Sequence, residues 1–215
     1  MTTKVEIKML NLEDKFVYGN KESIVLDNME DGVLCMVLNE DLKCEFDRDN
    51  QNNFDKSTLK ETLNSTYLDN WASDGADVND FIEMQVDLTA DDGLDDYGTC
   101  KCYLAPRTCD QHRKYRKLIP NNNHWEWTAT PYSIESKGEN LPARFVSSDG
   151  IVHECNTSCA SVSVRPFFKL KPDTEVEVDT TNGVEECCLV DTMRKLVDGH
   201  GFPVVMETLA KVIAG

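Results

Sequence analysis

The chain predicts a mixed fold of strands and helices: a β meander first, one amphipathic helix next, and an aromatic-rich strand region after it. Three patterns point there. Residues 3–46 break into short apolar or alternating runs separated by polar turns, as half-buried strands do. Leu59, Leu63, Tyr67 and Trp71 recur four apart, which places one apolar stripe on a helix. The stretch from His124 to Leu170 joins a Trp-Glu-Trp-Thr-Ala-Thr-Pro-Tyr segment, a Ser-Ser-Asp-Gly turn and a Val-Arg-Pro-Phe-Phe run.

Taken in order, residues 3–10 alternate and read as a first strand. Residues 15–26 read as strand, turn at Gly19-Asn20, and strand; residues 33–46 as a buried strand, a polar turn and a second strand. Asp55 or Ser57 caps the helix that follows, and Thr58 to Glu61 resembles a capping box. Trp71 then belongs to the core. Residues 81–88 form a short strand. The loop 89–98 carries Asp91, Asp92, Asp95 and Asp96 without the spacing of a calcium-binding helix–loop–helix, which favours a solvated loop. Thr108 or Asp110 caps a short helix from Gln111 to Leu118, ended by Pro120. Residues 133–143 form an exposed loop. Residues 143–147, 151–154 and 162–170 are strands, the first two joined through the Ser-Asp-Gly turn.

After Pro172 the composition changes. Residues 1–172 form the main domain, 173–183 a linker or an extension of the last strand, and 184–215 a helical hairpin. Its helices span about 185–198 and 203–214 around Gly199-His200-Gly201, each with one apolar stripe.

The net charge of -17 is uneven: residues 1–100 carry -16, residues 101–171 carry +5 and residues 172–215 carry -6. Two readings follow, a solvated acidic coat or a surface that imitates nucleic-acid phosphates before a basic groove of another protein. Free nucleic acid is disfavoured as a partner, because the acidic half repels it. No apolar run reaches the roughly 18 residues of a membrane span, and the start MTTKVEIKML lacks a signal-peptide pattern. Synthesis in a cytoplasm is the expectation, with a virion as a further destination. Nine cysteines, an odd number, read as reduced thiols. The spacings of Cys100/Cys102 and Cys155/Cys159 are not those of zinc knuckles, so neither metal nor cofactor is expected.

Candidate binding residues are Trp125, Trp127 and Tyr132 beside a proline turn, with Arg113 and Arg116 in the basic island 107–117. Two tryptophans two apart share one face of a strand, where they serve either the core or the stacking of a sugar face. The basic island either pairs with the acidic half of its own chain or borders an anion or carbohydrate site. No catalytic residue is assigned: no Ser-His-Asp, phosphate-loop or H-E-x-x-H pattern is present.

These pieces also resemble a family in their order. Residues 60–71 resemble its leucine-asparagine helix; residues 86–94, 109–116, 127–131, 148–150 and the Val-Arg-Pro of 164–166 follow. The chain, over residues 10–171, resembles the uncharacterised domain family common in Firmicutes and their phages that ends in a Gly-Val-Arg-Pro strand. That family is similar to C-type-lectin-like and sulfatase-modifying-factor-like domains, and its members look like surface or virion binding proteins. The resemblance implies an α+β fold with a small twisted antiparallel sheet, flanking helices and long loops. Ser163 stands where the family usually has Gly, and Ala129 where many members carry Arg. The expected function is a non-enzymatic binding protein, phage-encoded or bacterial, that recognises a glycan or protein surface. The alternative is an acidic inhibitor that mimics nucleic acid. An enzyme of the sulfatase-modifying type would need a thiol or metal constellation, to which Cys155 and Cys159 are the nearest approach.

The tail generates a test. Short helices are marginal in water alone, so its two stripes are expected to pack on the domain or on a second copy. Deleting residues 184–215 should lower the melting temperature or change the number of copies per particle read by light scattering; if both stay unchanged, the tail docks nowhere.

Overall fold

The computed structural model describes residues 2–39, 42–134 and 141–179. The chain divides into two compact units, Val5–Val176 and a smaller one of Met1–Lys4 with Glu177–Gly215. The expected helical hairpin, and residues 135–140 of the expected loop, lie outside the described residues.

The fold is α+β and mostly sheet. The strands of the first half are β1 (Thr2–Glu6), β2 (Lys15–Tyr18), β3 (Lys21–Met29), β4 (Gly32–Val37), β5 (Phe81–Ile82) and β6 (Met84–Asp87). Those of the second half are β7 (Thr99–Cys102), β8 (Leu104–Ala105), β9 (Glu126–Pro131), β10 (Ala143–Val146), β11 (Val152–Cys155), β12 (Phe167–Leu170) and β13 (Glu175–Asp179). Within the larger unit the main sheet runs β2-β3-β4-β12-β5, with β8 also on β12. A three-stranded sheet runs β11-β10-β9, and β6 pairs β7. The registered pairings are all antiparallel. The terminal strands β1 and β13 are neighbours.

The β2–β3 hairpin turns where the sequence places it. Gly19 and Asn20 both adopt positive φ (52° and 61°), as a two-residue hairpin matching the strand twist requires. Glycine is needed there for a second reason: a Cβ on Gly19 would lie 2.6 Å from Trp71 Cδ1. The indole Nε1 of Trp71 donates to Tyr18 O at 2.8 Å. Its ring meets Phe81 and Phe168 edge-on at 5.1 and 4.9 Å. Trp71 thus fastens hairpin, helix, β5 and β12 around one buried ring.

The helix bearing Trp71 is 16 residues long and not uniform. It runs through Thr58–Thr62, a π-turn at Leu63–Tyr67 and Leu68–Ser73. Four residues of an ideal α-helix overshoot a full turn by about 40°, so a strict four-residue repeat drifts round the cylinder. The wider π-turn takes up that drift and keeps Leu59, Leu63, Tyr67 and Trp71 buried together. Ser57 is the cap, accepting from Lys60 N at 3.1 Å, while Asp55 pairs with Lys60 Nζ at 2.6 Å. Within the π-turn, Asn64 accepts from Tyr103 N and Leu104 N (2.9 and 3.0 Å) and donates to Leu104 O at 2.8 Å. One amide side chain thereby replaces a strand neighbour for the β7–β8 junction.

Several expected strands are corrected. Residues 42–46 form none, because their hydrogen bonds go to an irregular loop: Cys44 N donates to Val162 O and Phe46 N to Thr157 O. The run 81–88 splits into β5, on the main sheet, and β6, on β7. The strand expected at 162–170 shortens to β12; Ser163 N and Val164 N donate to Trp125 O and Leu42 O instead, and Pro166 has no N–H to give. Strands β7 and β8 were not expected.

Asp47, buried beside the helix start, organises the preceding loop. Its carboxylate accepts from Asp49 N, Gln51 N and Thr58 N at 2.9, 3.0 and 3.0 Å. Burial disfavours its charge, but these donors outweigh burial and hold the carboxyl below its ordinary value. A depressed carboxyl stabilises the fold above its unfolded value of about 3.9 and loses that contribution as pH falls through the folded value. Asp47→Asn should therefore cost about 2 kcal/mol near neutral pH, and the gap from the parent protein should shrink below about pH 4. Urea unfolding across that range measures it; a gap independent of pH would remove the carboxylate from this role.

Candidate binding face on the three-stranded sheet

The β9–β10–β11 sheet carries most of the residues singled out in the sequence. Strand β9 is buried along its whole length. Its one charged residue, Glu126, opens the strand, is 2% exposed and is flanked by two buried arginines. Arg107 Nη2 meets Glu126 Oε2 at 2.7 Å, Arg165 Nη2 donates to the same oxygen at 3.1 Å, and Arg165 Nε contacts Oε1. Asn122 Nδ2 also donates to Glu126, and Arg165 Nη2 to Pro120 O at 3.0 Å. Two hydrogen bonds zip Ser163 to the backbone on either side: Ser163 N to Trp125 O at 2.8 Å, and Trp127 N to Ser163 O at 2.9 Å.

Trp127 is corrected by this arrangement. It is 1% exposed, its Nε1 donates to Cys44 O at 2.9 Å and its ring meets Phe46 edge-on at 5.5 Å. A side chain so enclosed offers no face to a ligand. Trp125 precedes the strand and is 47% exposed. It stacks on Phe145 of β10 at 4.9 Å and 28°, and Phe145 stacks on His153 of β11 at 5.5 Å and 27°. The register explains the second contact, since Phe145 and His153 are direct cross-strand partners. The result is a row of three rings, exposed at Trp125 and His153.

Tyr132 lies just beyond the other end of β9 and is 42% exposed. The guanidinium of Arg144 sits 4.5 Å above its ring and meets Asp91 at 2.7 Å and Glu154 at 2.9 Å. Asp91 also holds Arg113 at 2.9 Å. Burial opposes the charge on Asp91, yet Arg113 and Arg144 together keep its carboxyl below the ordinary value.

The basic helix Cys109–Tyr115 runs beside β9 and links the two ends. Thr108 caps it with a reciprocal box: its hydroxyl accepts from Gln111 N at 3.1 Å while Gln111 Oε1 accepts from Thr108 N at 2.8 Å. Cys109 N donates to Thr130 Oγ1 at 2.9 Å. Arg116 reaches the 147–150 turn and donates to Gly150 O. His112 Nε2 lies 3.1 Å from the same carbonyl; burial, and then the charge of Arg107, push its imidazole below the ordinary value.

The five candidate residues thus divide. Trp125 and Arg116 lie at one end of the sheet, Tyr132 and Arg113 at the other, and Trp127 is buried between them. Trp125 and Tyr132 are seven residues apart along extended chain, roughly 20 Å. Part of the basic island pairs within the chain, Arg113 with Asp91 and Lys114 with Asp27 at 2.8 Å. Phe145, His153, Arg144 and Glu126 were missed. For the first two the signal is an aromatic on each side of a predicted hairpin turn. For Glu126 it is one acid among apolar and aromatic neighbours on a strand.

Among the described residues no three His, Cys, Asp or Glu side chains converge as for a metal ion, and no helix is long and apolar enough to cross a membrane. No family model, curated protein or solved structure matches the chain.

The triad makes a test of its own. Glu126→Gln leaves two buried guanidinium groups without their counter-charge and should cost about 3–5 kcal/mol. Replacing all three members together (Arg107→Met, Glu126→Leu, Arg165→Met) should cost clearly less, because the desolvated charges go too. Urea unfolding of both variants gives the comparison; equal losses would show that the triad acts through shape alone.

Proposed function

We propose that this protein is a non-enzymatic binding protein that recognises a glycan or a protein surface through the Trp125 end of the three-stranded sheet. One observation carries the reading: the Trp125–Phe145–His153 row presents flat apolar faces with its outer rings exposed. Such faces suit the C–H side of a sugar ring or an apolar side chain of a partner. Arg116, exposed beside the 147–150 turn at the same end, supplies a donor for hydroxyl or anionic groups. Tyr132 under Arg144 forms a separate, outer contact at the far end. The reading agrees with the sequence resemblance to the phage and Firmicutes domain family, and a C-type-lectin-like topology and a virion or bacterial-surface setting belong to the same proposal.

A second reading, an acidic inhibitor that mimics nucleic acid, is favoured by the -16 carried by residues 1–100. Against it, Asp27, Asp55 and Asp91 are each held by a cation of the chain itself, which removes part of the negative surface such a mimic displays.

Alanine at Trp125 should cost about 1 kcal/mol of stability, the worth of one exposed stacking contact. On a glycan array, or in capture of surface proteins from the native host, Trp125→Ala and Arg116→Ala should each lower binding at least about tenfold, the loss of one contact worth 1.4 kcal/mol. Binding that survives both, or that is lost only when carboxylates of the first hundred residues are neutralised, would move the site away from this end.

A further inference from the structure

The sharpest chemistry outside this face is a pair of thiols at the far end of β11. Cys155 closes that strand, and the chain then turns so that Cys159 N donates to Asn156 O at 2.9 Å. A turn of this kind returns the chain on itself within four residues, which brings Cys159 back beside the end of β11 and Cys155. The loop is anchored between them, since the carbonyl of buried Thr157 accepts from Phe46 N and Asp47 N at 2.8 and 3.1 Å. Neither cysteine is fully buried, in contrast to Cys35, Cys100, Cys102 and Cys109.

We propose that Cys155 and Cys159 form a reversible dithiol–disulfide site that reacts with low-molecular-weight disulfides of the glutathione class. The two sulfurs have different roles. Cys159 Sγ lies 3.3 Å from Ser161 Oγ, and the hydroxyl and then the neighbouring thiol lower the pKa of Cys159 below its ordinary value. Burial pushes the Cys155 thiol up to about 11. Cys159 is therefore the attacking sulfur and Cys155 the resolving one. The Cys159 thiolate attacks one sulfur of the external disulfide, forming a mixed disulfide and releasing one thiolate. Cys155 then loses its proton to solvent and attacks Cys159 Sγ, expelling the second thiolate. Both thiolates end protonated, so the protein loses two electrons and two protons and the external disulfide gains them.

The anchored turn gives this pair its advantage over Cys100 and Cys102. Those two share the buried face of β7, where an incoming disulfide has no access. Cys155 and Cys159 are both partly exposed instead. The site is independent of the binding role proposed for Trp125.

The test uses the whole chain in glutathione buffers of graded disulfide content. Free thiols are trapped with iodoacetamide under denaturing conditions, and the protein is digested with trypsin without reduction. The peptide Phe145–Lys169 contains both cysteines and no other, because Arg165 precedes Pro166. It should shift from the doubly alkylated form to one lighter by two hydrogens than the free peptide, reversibly with dithiothreitol, while Cys35, Cys100, Cys102 and Cys109 stay alkylated. Cys155→Ser should hold glutathione on Cys159 as a stable adduct. Cys159→Ser should react at Cys155 about tenfold more slowly, because only part of the difference in thiolate fraction survives as a difference in rate. The proposal fails if the peptide remains doubly alkylated in excess glutathione disulfide, if the buried cysteines oxidise first, or if the two single variants react equally fast.

Discussion

The buried contact between Glu126 and the two arginines is the constraint on which the rest of the binding region depends. Glu126 belongs to the three-stranded sheet, Arg107 leads from β8 into the basic helix, and Arg165 leads into β12 of the main sheet. One carboxylate therefore ties three segments that hydrophobic packing alone would leave free to slide. Ions taken from water are costly, and their mutual attraction offsets that cost only in good geometry. The geometry here is held from outside the triad: Asn122 and Pro120 take up further hydrogen-bonding capacity, and the backbone of Ser163 fixes the register of β9. A polar knot of this kind contributes orientation more than net stability. The orientation it sets is that of Trp125, whose carbonyl is bound by Ser163 one residue before the knot.

Charge placement follows the same logic on the outside. The acidic first half and the more basic segment after residue 100 meet along the basic helix, where Asp27 and Asp91 each take a cation. Tyr115 shares Asp27 with Lys114, donating its hydroxyl at 2.7 Å. Single exposed ion pairs contribute little each. Their effect here is positional, since Arg113 and Lys114 are engaged by the chain while Arg116 is turned towards the hairpin loop.

Much of the outline was legible in the sequence. The Gly19-Asn20 hairpin, the Ser57 cap, the Thr108 cap and the Ser147–Gly150 turn each rest on local chemistry that needs no distant partner. Trp71 was legible as core because it continues an apolar stripe. The failures come where distant segments decide. Residues 42–46 look like a strand but bond to a loop more than a hundred positions away. Trp125 and Trp127 look equivalent, yet Phe46 covers one and Phe145 only supports the other. The basic island gave two arginines as a group, and three helical positions between them send Arg113 and Arg116 to opposite ends of a sheet.

The π-turn in the long helix bears on how this chain tolerates changes of length. A π-turn accommodates one residue more than the α-helical turn it replaces. Removing Ser65 or Thr66, both exposed within Leu63–Tyr67, would return that turn to the plain α form. The segment beyond it would keep nearly the same phase, because five residues of the wider turn and four of an α-helix both sweep a little more than one turn. The same deletion between Leu68 and Trp71 has no such slack: it would rotate Trp71 by about 100° and move it about 1.5 Å along the axis. Trp71 would leave the space above Gly19, and the hairpin turn would lose the ring that covers it. Tolerance to a change of length is thus confined to one turn of the helix: a residue lost there is absorbed, while a residue lost one turn later dismantles the core beside it.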